Sequence, residues 1–222
     1  MERHFEEELK QLKNKILRMG FLVDAALSKS LEALLEGKRD LAEEVMEDEN
    51  EINDLEIKID DRGHSLSALI QPLASDFRLV TMALKMNTDL ERIGDHAVNI
   101  AEHALSIHSE KKFNQFFQIP ELARAAQKML TDAIDAFAKQ DMTLAASVLK
   151  RDDEVDRLND ALYIEIGQAM ELNPSLVKPG MSLVMAGHDL ERIGDLANNI
   201  AEDIFYQNQG REVRPHTQNQ PL

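Results

Sequence analysis

The chain has no cysteine and no tryptophan, and only nine glycines and six prolines in 222 residues. Without cysteine there is no disulfide, no thiolate nucleophile, no iron–sulfur cluster and no cysteine-ligated zinc. Two tyrosines and an aromatic share of 5% argue against a β-sandwich, whose strands draw on aromatic and β-branched residues. No apolar run approaches the roughly 18 residues of a membrane-spanning helix, so direct membrane insertion is not expected. The opening MERHFEEELK is acidic and polar, unlike a signal peptide, which makes the cytoplasm the expected compartment. Positive charge is also short: 25 Lys and Arg stand against 41 Asp and Glu, a formal net charge of -16. Such a surface repels phosphate backbones and speaks against a nucleic-acid partner. It favours cations and basic partner surfaces.

What is present is helical. Hydrophobic residues make up 43% and charged residues 30%, the balance of a globular chain. From His4 to about Gly37, Leu9, Leu12, Ile16, Met19, Val23, Ala26, Leu27, Leu31 and Leu34 recur at threes and fours, the spacing of one buried helix face. Gly37 supplies a stop. A second helix is expected from about Asp40 to Ile70, ended by Pro72. A third, capped by Ser75 or Asp76, runs to about Ser106. The stretch 109–120, SEKKFNQFFQIP, loses the period, and Pro120 suits a helix opening. A fourth helix is expected over Glu121–Lys139 and a fifth over Met142–Glu171. A sixth starts between Ser175 and Gly180 and ends near Gln207. Short connections make neighbours antiparallel. The expected fold is therefore all-α, two tandem antiparallel three-helix bundles. Residues 1–108 form the first, 109–120 a connector, 121–207 the second and 208–222 a polar tail.

The two bundles are copies. DLERIGDHAVNIAE (89–102) returns 100 residues later as DLERIGDLANNIAE (189–202), with only His96/Leu196 and Val98/Asn198 differing. A fainter echo, at an offset of 103, aligns Glu49, Ile52, Asn53, Leu55 and Glu56 with Asp152, Val155, Asp156, Leu158 and Asn159. This is internal duplication, and something holds the third helix of each copy fixed while the rest drifts.

On a helical wheel, Leu90, Ile93, Gly94, Ala97, Ile100 and Ala101 share one apolar arc. Glu91, Asp95, Asn99 and Glu102 lie beside it, and Glu191, Asp195, Asn199 and Glu202 repeat them. Glu49, Asn53 and Glu56 on the second helix, and Asp152, Asp156 and Asn159 on the fifth, form rows that can face these. Two carboxylates about 5 Å apart repel by roughly 3 kcal/mol at an effective dielectric of 20, but by only about 0.2–0.5 kcal/mol on a solvated helix. A row next to the core therefore calls for protons or a cation, and oxygen ligands select hard ions such as Mg²⁺, Mn²⁺, Ca²⁺ or ferric iron. The plainer readings are a solvated acidic face, or a segment kept for close packing through Gly94, Ala97 and Ala101. His64, His96, His103 and His188 do not recur in matching positions and read as surface or packing histidines, of which one could supplement a metal site.

The paired LERIGD segments in duplicated three-helix units resemble the PhoU family, over about residues 3–206. QPLASDFR (71–78) is similar to the family's QPxAxDLR signature, with Phe77 in place of Leu. The resemblance implies E(D)xxxD metal motifs at Glu91/Asp95 and Glu191/Asp195, joined by Asp152/Asp156 and, with an amide in place of a carboxylate, by Glu49/Asn53. It implies a multinuclear metal cluster there, iron first, with zinc, manganese or magnesium as alternatives. It also implies a cytoplasmic homodimer, not an enzyme, that restrains phosphate uptake and phosphate-starvation signalling when phosphate is plentiful. Its partners would be the ATPase of the phosphate ABC transporter and a membrane sensor histidine kinase. Two competing readings are a metal-binding accessory of another phosphate permease and a ferritin-like metal-carboxylate enzyme. The enzyme calls for paired ExxH motifs, whereas the nearest candidate, Asp61-Arg-Gly-His64, is single.

Overall fold

The computed structural model describes residues 2–69, 74–107 and 118–209, and their regular structure is entirely helical. The helices are α1 (Glu2–Glu36), α2 (Arg39–Leu69), α3 (Ala74–Ile107), α4 (Ile119–Lys139), α5 (Met142–Leu149), α6 (Asp152–Leu172) and α7 (Val177–Gln209), with a 3-10 turn at Pro174–Leu176. The expected boundaries at Pro72, most of the connector and most of the tail fall outside the described residues.

Local chemistry sets the ends. Gly37 takes φ 70, a left-handed turn that a Cβ disfavours, and its N–H returns to the Ala33 carbonyl at 3.0 Å. Gln140 ends α4 in the same conformation, and Asp141 then opens α5 by accepting from the Thr143 and Leu144 N–H groups. At the hairpin into α7, Asn173 Oδ1 accepts from the Ser175 N–H and hydroxyl.

The fifth helix is not continuous. It breaks at Lys150 and Arg151 into α5 and α6, so each half is a three-layer bundle but the second contains a jointed middle member. A tertiary contact sits at the break. Asp132 on α4 is 4% exposed, and a buried carboxylate needs cationic partners. Arg151 Nη1 reaches its Oδ2 at 2.5 Å, and Lys128 Nζ reaches its Oδ1 at 2.5 Å. Arg151, at the turn, makes that contact. Asp152, Asp153 and Glu154 then fill the first turn of α6, where negative charge suits the helix dipole.

In the first half α1, α2 and α3 pack on one another. In the second, α7 is backed by α4, α5 and α6. The halves join where α3 lies along α7 and α1 meets α4. The buried side chains of both halves form one continuous cluster, from Phe5 and Leu12 through Leu90 and Ile93 to Leu190, Ile193 and Phe205. All six residues of the apolar arc read from the repeat are buried. Among the described residues no helix is long and apolar enough to cross a membrane.

Candidate metal centre: two facing acidic rows

Close approach of paired helices puts the acidic rows opposite one another. A Cβ on Gly94 of α3 would meet Ile52 of α2 at 3.4 Å, and one on Gly194 of α7 would meet Val155 of α6 at 3.1 Å. The repeated glycine thus faces Ile52 in one half and Val155 in the other. These are the partners that the offset of 103 aligns.

In the first half, Glu91 is partly buried. Burial raises its carboxyl above the ordinary range, and Asp95 on the same helix with Glu56 and Glu49 across on α2 push it further, against the opposing pull of Arg92. Glu49 and Asn53 are half-buried, whereas Asp95 is exposed. In the second half, Asp156 on α6 is raised by burial, then by Glu191, Asp195, Asp153 and Asp160. Asp195 is raised by burial and Glu191 although Arg192 and His188 oppose it.

The halves differ in how this charge is met. In the second, Arg192 Nη1 donates to Asp195 Oδ2 at 2.6 Å and Asn159 Nδ2 donates to Glu191 Oε2 at 3.2 Å. His188 Nδ1 stands 3.0 Å from the same oxygen. Among the described residues, no direct hydrogen bond or ion pair of this kind meets Glu91 or Asp95. Thr88 stands where the second half has His188.

Three expected members are placed differently. Asn99 turns away from α2, its Nδ2 donating to Asp189 Oδ1 at 3.3 Å across the junction with α7. Asn199 is exposed. Asp152 sits in the first turn of α6 because of the break, not in mid-helix. Among the described residues, no three His, Asp or Glu side chains are already arranged to enclose a metal ion. The donor set suits a hard cation in chemistry: carboxylates stand on facing helices, and in the first half their charge is opposed by Arg92 only at a distance. It is an open pair of rows and not a closed cage.

A second polar constellation escaped the sequence reading. Asp189 on α7 is 5% exposed and lies against α3. Its Oδ1 accepts from His96 Nδ1 at 2.8 Å and from Asn99, and His103 Nε2 stands 3.4 Å from its Oδ2. Burial alone would raise this carboxyl, but His103, His96 and Asn99 outweigh it and hold it at about 2. Its repeat equivalent Asp89 has the opposite fate, raised to about 6 by burial and by Asp203, with Arg92 and Lys85 opposing. The available signal was Asp89/Asp189, identical in both copies, with His96 and His103 two helical turns apart on the same helix.

The sequence and the fold both match known proteins. The model of the PhoU domain matches twice, at residues 16–104 and 119–204. The phosphate-specific transport system accessory protein PhoU homolog of Pseudomonas aeruginosa is 36% identical over 211 residues, spanning 95% of this chain and 87% of that relative. The phosphate-specific transport system accessory protein PhoU of Escherichia coli (strain K12) is 32% identical over 210 residues, with 95% and 87% spanned. The crystal structure of PhoU from Pseudomonas aeruginosa superposes with a TM-score of 0.90 at 36% identity, covering 93% of this chain and 100% of that one. That of the phosphate transport system regulatory protein PhoU from Streptococcus pneumoniae gives 0.85 at 31% identity, covering 95% and 99%.

Proposed function

Because the chain belongs to the PhoU family, we propose that it is a cytoplasmic adaptor that restrains phosphate uptake and phosphate-starvation signalling when phosphate is plentiful. A role in phosphate transport follows from relatives named as accessory proteins of that system across nearly their whole length. The restraint, and the partners that deliver it, are the finer proposal. Those partners are the ATPase of a phosphate ABC transporter and a membrane sensor histidine kinase, engaged by a homodimer. The observation that carries the reading is that the PhoU domain matches once in each half, at residues 16–104 and 119–204, and that the fold superposes on PhoU structures over 93–95% of the chain. The physical support is a surface of helices up to 35 residues long with a net charge of -16, which suits binding to basic partner surfaces.

Metal enters as a structural element of this proposal. Glu91 and Asp95 with Glu49 and Asn53 would hold a cation in the first half. Glu191 and Asp195 with Asp156 would do so in the second, iron being preferred and zinc, manganese or magnesium following. A cation there would neutralise the rows and tie α2 to α3 and α6 to α7.

The test is co-purification of the full-length protein with the transporter ATPase at high and low phosphate, alongside phosphate uptake in cells lacking the protein. Association with the ATPase and faster uptake without the protein are expected. No association in either condition, with uptake unchanged, would move the reading to an accessory of a different phosphate permease.

A further inference from the structure

The seam between the halves, where α3 runs along α7, has ends that the duplication made equivalent and later divergence made opposite. The helices are antiparallel there: Lys85 meets Asp203, and His103 meets Asp189. At one end a buried carboxylate, Asp189, sits between His96 and His103 with Asn99 donating. At the other, the equivalent Asp89 feels Asp203, a like charge standing at the position that His103 holds in the first copy. Leu196 fills the position of His96.

The weak end is not bare. Lys85 Nζ pairs with Asp203 Oδ1 at 2.8 Å and lies 5.9 Å from the Tyr206 ring, and Arg78 Nε donates to the Gln207 carbonyl at 3.3 Å. But the Lys85 side chain is 57% exposed against 14% for Asp203, so this ion pair keeps one partner in solvent and holds less than one buried on both sides. The Asp189 side chain is 7% exposed, where hydrogen bonds to a charged group count for more.

We propose that the α3–α7 seam is a one-ended hinge, latched by Asp189 with His96, Asn99 and His103, and opening at the Asp89–Asp203 end. The two halves then pivot about the latched end without parting. Each half's acidic row rides on a helix of this seam, so the pivot changes how far apart the rows stand. Swinging of packed helices about one fixed contact is a known form of domain motion.

Native-state hydrogen exchange reads this directly, because segments 82–90 and 182–190 occupy equivalent positions in the repeat and differ in which end of the seam they line. Protection corrected for intrinsic rates is expected to be lower in 82–90 of the wild-type protein, by about tenfold or more for a difference of one charged hydrogen bond. Two reciprocal substitutions exchange the chemistry of the ends. Asp203→His gives Asp89 an imidazole and is expected to raise protection of 82–90. His103→Asp puts a like charge against Asp189 and is expected to lower protection of 182–190 and of 96–104 together, with α1 unchanged. Equal protection of 82–90 and 182–190 in the wild type overturns the hinge. So does an Asp203→His variant with 82–90 unaltered, and that variant decides the matter if His103→Asp fails to fold.

Discussion

Asp89 and Asp189 are the same residue of one repeat, and their surroundings drive them apart. Asp89 is raised from 3.8 to about 6, so folding favours its protonated form. Its contribution is favourable below its unfolded pKa and is lost as pH rises from about 4 through 6. Asp189 is lowered to about 2; its contribution is present above about 4 and lost as pH falls toward 2. Asp89→Asn is therefore expected to stabilise the protein at pH 7 by on the order of 1–2 kcal/mol, the linkage value reduced for partial solvation. The gain should vanish near pH 4, as read from urea midpoints across pH. A destabilised Asp89→Asn at pH 7 would mean that Arg92 and Lys85 outweigh burial. The sequence could not show this difference, because it depends on which side chains of the other half stand opposite. His103 and Asp203, the residues that decide it, lie one position past the end of the recognisable repeat.

Helix existence and face were written in the sequence; one helix joint was not. Ala145, Val148 and Val155 keep one helical phase and are all buried, which reads as a single helix over Met142–Glu171, although the five charged residues at 150–154 leave the core face without an apolar side chain at the joint. The turn at Arg151 coincides with its ion pair to Asp132 on a different helix, a partner that the local pattern does not name. Glycine packing, by contrast, follows from the duplication yet separates the copies. At Gly94 an added Cβ meets Ile52 at an ordinary 3.4 Å, while at Gly194 it meets Val155 Cγ1 at 3.1 Å. Alanine removes the helical penalty of glycine, worth up to about 1 kcal/mol. Gly94→Ala is therefore expected to be neutral to stabilising, and Gly194→Ala to be less stable than its twin. At Gly187 a Cβ would stand 2.7 Å from Leu162 Cδ2 and 3.0 Å from Asn159 Oδ1. Gly187→Val should cost about 1–3 kcal/mol by overpacking, visible as a lowered thermal midpoint, and should displace Asn159 from Glu191. A midpoint unchanged by Gly187→Val would show that α6 yields there.

At the scale of the whole molecule, a net charge of -16 acts on two acidic rows of unequal compensation. The second row carries Arg192 and His188 in direct contact. The first is opposed by Arg92 only at a distance. Added cations can stabilise such a molecule in two ways. Diffuse screening acts on the surface as a whole and responds to ionic strength. Binding at the rows responds to the identity of the ion and to the carboxylates themselves, and adds stability in proportion to the logarithm of ion concentration above its dissociation constant. Thermal midpoints measured with MgCl₂, MnCl₂ or a ferric complex, against NaCl of matched ionic strength, separate the two. The multivalent ions are expected to raise the wild-type midpoint above the NaCl control. Glu91→Gln should remove more of that excess than Glu191→Gln, because Arg192 already serves the second row in place of an ion. An excess that survives the double substitution would assign the effect to the acidic surface at large. An excess lost mainly with Glu191→Gln would mean that His188 and Asn159 orient the second row for an ion that displaces Arg192, and that a row arranged in advance outranks one that is merely uncompensated.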